Sequence, residues 1–279
     1  MYDTITFLTD FGLRDDFVGV CHGVIKRIAR DVQIIDVSHG VAPQAIVQGA
    51  LLLARAVPYL PPAINLAIVD PGVGRGRRAL AIRAADGRVY VGPDNGLLTL
   101  AADAAGIVTV RELTNPRYRL ERVSRTFHAR DVFAPAAAYL ATGVPFDDLG
   151  GEVDPATLVR LKLPEPELGT HHLRATVMAV DRFGNLELNL GADHMEAVAL
   201  APADRVELLL GSNSYYAVVA ETFEDAKRGD LIVYEDSYGA YAVAISGGDA
   251  SRLLDAGPGD EVTIVSHGSD RKRNGEGRT

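Results

Sequence analysis

LPEPELG, residues 163–169, decides how this chain is built. Two prolines and a closing glycine within seven residues stop any helix, and the pattern of the sequence differs on the two sides of that break. Upstream, short β-rich apolar runs alternate with helical patterns, the signature of a sheet of parallel strands with helices on its faces. ITFLT (5–9), VQIIDV (32–37) and INLAIV (64–69) read as strands. Residues 16–30 place Phe17, Cys21, Val24 and Ile28 at helical spacing, with Lys26, Arg27 and Arg30 at the end where they complement the helix dipole. Pro43 to Val57 reads as a helix with its proline near the start, ALAIRA and RVYVG pair about an Asp86-Gly87 turn, and another helix starts near Asp131. Downstream, LRATVMAV (173–180), LELNL (186–190), RVELLL (205–210), YAVVA (216–220), LIVYE (231–235), YAVAIS (241–246) and VTIVS (262–266) follow one another with almost no helical periodicity. They suffice for a small barrel or sandwich. The expected organisation is an α/β domain over 1–165, a smaller all-β domain over 166–268 and a polar, disordered tail over 269–279.

Composition narrows the function. The chain has 279 residues, 28 Lys+Arg against 37 Asp+Glu, and a net charge of −9 without a long basic run in the folded part. That balance argues against nucleic acid or an anionic membrane as partner. A single cysteine, Cys21, excludes an intramolecular disulfide framework and CxxC metal knots. No apolar run reaches the ~18 residues of a bilayer span, and the opening MYDTITFLTDFG lacks the charged and apolar regions of a signal peptide. A cytoplasmic protein is expected.

Acidic residues gather at strand ends, where an open α/β sheet collects ligands. Asp10 follows ITFLT, Asp36 lies within VQIIDV, Asp70 follows INLAIV, and Pro93-Asp94-Asn95-Gly96 follows RVYVG. Each alone is explained as well by a helix cap or a turn; four together favour a site. The loop from Asp70 to Arg77 has three glycines at alternate positions but matches neither GxGxxG nor a P-loop. It reads equally as a ligand-hugging backbone or as a surface loop with solvated arginines. His128 stands just before the helix that Asp131 would cap, where the positive helix end would keep the imidazole neutral. Asp181 to Asn185 is first of all a hairpin turn, which leaves Phe183 as an unexplained aromatic at its tip. Thr222 to Ala226 and Ser237-Tyr238-Gly239 share that ambiguity.

Taken in order, TDFG (9–12), DVSHG (36–40), VDPGVGRGRR (69–78), GPDNGLLT (92–99), TFHARD (126–131), DRFGN (181–185) and DSYGAYAVAIS (236–246) resemble the S-adenosyl-L-methionine (SAM) hydroxide adenosyltransferases, hydrolases related to the fluorinase and chlorinase. The resemblance runs from about residue 4 to 266. It implies an N-terminal α/β domain, a C-terminal β-barrel, and a homotrimer with active sites between the N-domain of one subunit and the C-domain of the next. It also implies hydrolysis of SAM to adenosine and L-methionine, with SAM as substrate and no cofactor or metal. The catalytic residues fall on Asp70, Arg77 and His128. Asp10 matches the carboxylate that grips both ribose hydroxyls, Asn185 the amide that reads adenine and Phe223 the aromatic that stacks on it. Asp181 and Ser237 match the groups that hold the methionine ammonium and carboxylate; Phe183 is a substrate-binding candidate from its own position, as an aromatic at a loop tip better used against a ligand or a partner. Related halogenases have one more residue between that Asp and the Phe-Gly-Asn, and the fluorinase has Arg at the position of Tyr238. It has Tyr in place of Asp70, a halide-binding Ser in place of Ala129 and a long insertion where this chain has only Asp86-Gly87. Halide chemistry is therefore the weaker alternative.

Reaction chemistry agrees. Attack at ribose C5′ of a sulfonium expels methionine as a neutral thioether, so no general acid is needed for the leaving group. The site needs an oriented water and a proton acceptor, for which Asp70 and His128 both qualify, with Arg77 to stabilise developing hydroxide. Two other classes compete. A metal-dependent hydrolase would recruit Asp10, Asp70, Asp94 and His128 as ligands, against the repulsion of Arg77. A non-catalytic SAM or adenosine sensor would have no use for an intact Asp70, Arg77 and His128.

Overall fold

The computed structural model describes residues 2–74 and 76–266, so the tail expected over 269–279 lies outside the described residues. The backbone divides into two compact units, Met1–Lys162 and Leu163–Thr279. The first unit contains β1 (Thr4–Thr9), α1 (Phe17–Ile28), β2 (Gln33–Ser38), α2 (Ile46–Ala56), β3 (Ile64–Ile68), β4 (Ala79–Ala84), β5 (Val89–Pro93), α3 (Thr99–Ala104), β6 (Ile107–Glu112) and α4 (Ala134–Ala141). Its strands form one sheet in the order β2-β1-β3-β5-β4-β6. Strands β1, β3 and β5 are buried along their whole length, as strands covered on both faces must be. Side chains alternate between two cores: Phe7 joins Cys21, Ile25 and Phe133 on one side of the sheet, and Leu8 joins Leu53, Leu97 and Tyr90 on the other. The result is an α/β/α sandwich.

The Asp86-Gly87 hairpin is as expected from the sequence. The sheet is mixed, because β4 runs antiparallel to both β5 and β6. A parallel crossover needs about a dozen residues, and the short link turning through Asp86 and Gly87, with Gly87 at φ +82°, permits only a hairpin. Two other details depart from that reading. Helix α2 begins at Ile46, three residues later than Pro43, since Gln44 adopts φ +66° and cannot be helical. The segment at Asp131 is a π-helical stretch, Ala129–Phe133, leading into α4, and Asp131 caps nothing. Its buried carboxylate instead accepts from the Ser124 backbone N–H at 2.7 Å and from Arg130 Nε at 2.6 Å. Burial raises its proton affinity, but these bonds outweigh burial and hold the carboxyl below its usual range.

The second unit contains β7 (Glu167–Leu168), β8 (His172–Val180), β9 (Leu186–Leu188), α5 (Ala192–Ala197), β10 (Arg205–Leu210), β11 (Asn213–Ala220), β12 (Leu231–Glu235), β13 (Tyr241–Ile245), α6 (Ala250–Leu254) and β14 (Glu261–Ser266). Pairing runs β14-β10-β11-β12-β13-β9-β8, and β14 also pairs with β8, so seven strands close into a barrel with β7 added outside the ring on β8. Every other residue of β10, namely Val206, Leu208 and Leu210, points into its core. Closure removes the exposed edges that an open sheet would present. The short helices α5 and α6 were not expected, because five or six residues are too few for a helical period to register.

Candidate active site

Strand order brings the first group of residues together. Parallel β1 and β3 are neighbours, so Asp10 and Asp70, which follow them, emerge at the same carboxyl edge of the sheet. Antiparallel β4 starts at that edge, which returns Arg77 to Asp70. Asp10, Asp70, Gln44, Phe11, Phe127 and His128 line a cleft of about 350 Å³. Arg77 Nε lies 3.0 Å from each oxygen of Asp70, and Arg77 Nη2 donates to Asp70 Oδ2 as well. The same Nη2 stands 3.1 Å from His128 Nδ1. Arg77 lies 4.9 Å from the centre of the Phe133 ring, a cation–π contact that fixes the guanidinium from the core side.

Burial, and then the positive charge of Arg77, hold His128 below the usual imidazole range, so the ring is neutral at pH 7. A guanidinium has no acceptor. His128 Nδ1 therefore accepts from Arg77, and the proton of the neutral ring resides on Nε2. The neutrality foreseen for His128 is present, with a neighbouring cation and burial as its cause instead of a helix end.

The glycine loop is a fitted element. Gly74 has φ +74°, and a Cβ there would meet the carbonyl oxygen of Arg125 at 2.5 Å. Such close approach packs the loop against the segment leading to His128. Gln44, which the sequence reading missed, donates its backbone N–H to Asp10 Oδ2 at 2.9 Å from its left-handed conformation. A non-glycine residue at positive φ marks a backbone constrained by its surroundings, and here the constraint orients Asp10. The remaining strand-end acids lie elsewhere. Asp94 is buried against Arg78 at 2.5 Å and accepts from the Val159 backbone N–H at 3.0 Å. Asp36 meets His22 and His39. Asp94 is thus committed to a structural ion pair, not arrayed with Asp10, Asp70 and His128 around a common ion.

The second group lines a pocket of about 650 Å³ on the barrel: Asp181, Phe183, Asn185, Phe223 and Ser237. Phe183 is 69% exposed, with the Arg182 guanidinium 5.8 Å from the centre of its ring. Phe223 stands 4.9 Å from Tyr234, another lining residue. Burial, with Asp181, Asp236 and Glu187 nearby, pushes the Tyr234 phenol up to about 12, so it remains a hydrogen-bond donor. Sequence reading passed over Tyr234 as one more residue of a β-rich run, although a tyrosine at the end of an apolar strand is a signal of a half-buried polar tip. Asp181 organises its own turn: Oδ1 accepts from the backbone N–H groups of Phe183 and Asn185 at 2.8 and 3.0 Å, and Oδ2 from Asn185 Nδ2 at 2.7 Å. Gly184, at φ +83°, completes that turn.

Cys21 plays no part. Burial pushes its thiol up to about 12, which leaves it without thiolate character at neutral pH.

An α/β sheet with a half-buried carboxylate, guanidinium and neutral imidazole at its carboxyl edge, joined in one chain to a β-barrel with an aromatic-lined pocket, defines an enzyme for a small molecule. Residues 5–150 match the SAM hydroxide adenosyltransferase N-terminal domain, and residues 175–263 the C-terminal domain of the same family. The chain belongs to the SAM hydroxide adenosyltransferase family. It is 47% identical over 265 residues to an (R)-S-adenosyl-L-methionine hydrolase of Salinispora arenicola, covering 94% of this chain and 97% of that protein. An (R)-S-adenosyl-L-methionine hydrolase of Thermus thermophilus is 38% identical over 270 residues, covering 94% and 99%. A fluorinase of Actinoplanes is more distant, at 27% over 288 residues, covering 94% and 97%. Among solved structures, an uncharacterized conserved protein from Thermotoga maritima superposes with a TM-score of 0.88 at 36% identity, covering 94% of this chain and 99% of that one.

Proposed function

We propose that this protein hydrolyses SAM to adenosine and L-methionine by attack of water on ribose C5′. The observation that carries the reading is the half-buried Arg77, which binds Asp70 and His128 at once and so holds two groups that act on water in one geometry. The oxygen of water forms the new bond to C5′, and the C5′–S pair leaves with sulfur as a neutral thioether. The released proton passes to Asp70. His128 cannot take it at Nε2, because that nitrogen already carries the ring proton. Its Nε2–H instead donates to the water and steadies the hydroxide character that grows in the transition state. Arg77 keeps the imidazole in that tautomer and aligns the carboxylate.

The binding assignments follow the same reading. Asp10 grips the ribose hydroxyls, Asn185 and Phe223 take the adenine, and Asp181, Phe183 and Ser237 take the methionine end. The hydrogen bonds within the Asp181 turn are in keeping with an ammonium held by a carboxylate already fixed in place. The relatives' names specify the (R) form, and a pyramidal sulfonium in a chiral pocket is read by its configuration, so we assign that epimer as the preferred substrate. We further assign a cytoplasmic homotrimer with each site shared between two subunits.

The test is product analysis of the pure protein with SAM of mixed sulfonium configuration, in the presence of chelator. Adenosine and methionine in equal amounts, with the (S) form left behind, are expected. S-adenosylhomocysteine as product, or no adenosine, overturns the reading.

A further inference from the structure

His22, Asp36 and His39 form a second cluster of chemistry-bearing side chains, outside both pockets. His22 lies on α1, Asp36 on the edge strand β2, and His39 in the turn just after β2. Nε2 of His22 and Nε2 of His39 converge on one oxygen, Asp36 Oδ1, at 2.9 and 3.0 Å, and the three ligand atoms lie within 4.8 Å of one another. His39 is only 6% exposed, yet its Nε2 has no hydrogen-bond partner. The Asp36 oxygen is near enough to bond but stands off the axis along which a ring N–H would point.

We propose that these three residues bind one divalent transition-metal cation of the zinc type, through Nε2 of both histidines and the Asp36 carboxylate. Neighbouring ligands of a tetrahedral ion aim at the ion and not at each other, which is the relation of His39 Nε2 to Asp36. Two ligand atoms at about 2.0–2.1 Å from such an ion stand about 3.3 Å apart, a few tenths of an ångström from the separations here. Two imidazoles and one carboxylate suit zinc, cobalt(II) or nickel(II), whereas magnesium and calcium prefer all-oxygen sets.

The surroundings support a ligand role. His39 Nδ1 lies 2.8 Å from Thr9 Oγ1, a bond from behind that orients the ring as outer-sphere partners orient metal-binding histidines. Phe7 packs against both rings, with centroids at 4.9 Å from His39 and 5.8 Å from His22. Asp36 and His22 reach solvent, with side-chain exposures of 42% and 31%, which gives an ion its entry and leaves room for water as a fourth ligand. A bound ion would clip α1 to β2. It would also brace the base of the Asp10 segment, since Thr9 precedes Asp10 and the Gly12 N–H donates to the His39 carbonyl at 2.8 Å.

The test uses full-length protein without an affinity tag, stripped with chelator and titrated with cobalt(II). Wild type is expected to develop the intense visible bands of four-coordinate cobalt, saturating at one ion per chain, with zinc displacing it and magnesium not. His22→Ala and Asp36→Asn, each verified as folded by circular dichroism, should weaken that binding by more than about 100-fold. Zinc should raise the melting temperature of wild type and leave that of His22→Ala unchanged. Unaltered cobalt or zinc binding in either variant would place the ion on other histidines and overturn the proposal. So would the lack of any stoichiometric binding by wild type.

Discussion

Arg77 donates to Nδ1 of His128 across 3.1 Å, and this one contact sets which nitrogen of the imidazole carries its proton. A protonated ring would turn an N–H toward the guanidinium, placing two cations face to face in a half-buried site. The neutral form is thereby favoured twice, by burial and by charge.

The pH dependence follows from that depression. In the folded protein His128 binds its proton below the usual imidazole range, so kcat/KM should stay flat down through that range and fall only beneath it, where a proton on Nδ1 repels Arg77 and disturbs its hold on Asp70. Arg77→Gln removes the opposing cation, and proton NMR of the His128 ring should show its titration moved upward. A titration unchanged in Arg77→Gln would refute the charge argument. The sign for stability is the same as for any depressed group: the unfolded chain binds the proton first as pH falls. The contribution of His128 is complete above the usual imidazole value and is lost as pH drops through the folded one, which chemical denaturation at two pH values measures.

His128→Ala and Asp70→Asn should lower turnover by about 10²–10⁴-fold with little change in SAM affinity, because groups acting on water contribute mainly in the transition state. Single-turnover rates together with calorimetric affinity separate the two quantities. A loss confined to affinity would move both residues out of the chemistry.

Asp10→Ala should behave in the opposite way. Charge-assisted hydrogen bonds to two ribose hydroxyls contribute about 1.5–3 kcal/mol each, so binding should weaken by tenfold or more. Calorimetry on an Asp70→Asn background reads affinity without turnover. Gln44→Gly should keep that affinity, since glycine accepts the left-handed backbone that holds Asp10, whereas Gln44→Pro removes the N–H and should weaken it.

Halide should not replace water. Ala129 offers no hydroxyl, and the Asp70 carboxylate lines the cleft where an anion would have to sit. Chromatography after incubation with SAM and high fluoride or chloride should show adenosine without a 5′-halogenated nucleoside. A halogenated nucleoside as the main product would reverse the assignment.

A site shared between subunits predicts complementation. His128→Ala and Asn185→Ala chains, each nearly inactive, should regain activity when unfolded, mixed and refolded into mixed oligomers. Mixed oligomers confirmed by mass but inactive would confine each site to one chain.

Local patterning made much of this protein legible from its sequence. The break at LPEPELG, the apolar runs of β1, β3, β10 and β12, and the helical spacing of Phe17, Cys21 and Val24 reflect short-range periodicity and backbone sterics, which neighbours in sequence carry. The motif that holds Asp70 and Arg77, seven residues apart, was visible by resemblance, but their ion pair was not, because the loop read equally well with its arginines in solvent. What the tertiary structure alone decided lies at longer range. Asp10, Asp36, Asp70 and Asp94 look alike as acids at strand ends, yet only Asp10 and Asp70 line the cleft. Strand order and the reversed direction of β4 make that choice. The tautomer of His128 depends on a residue 51 positions away, and the fate of Asp131 on Ser124 and Arg130 in a π-helical turn that no periodicity announces. Sequence specified the side chains and their local backbone; which of them face one another was set by burial and strand register, because those depend on contacts between segments far apart in the chain.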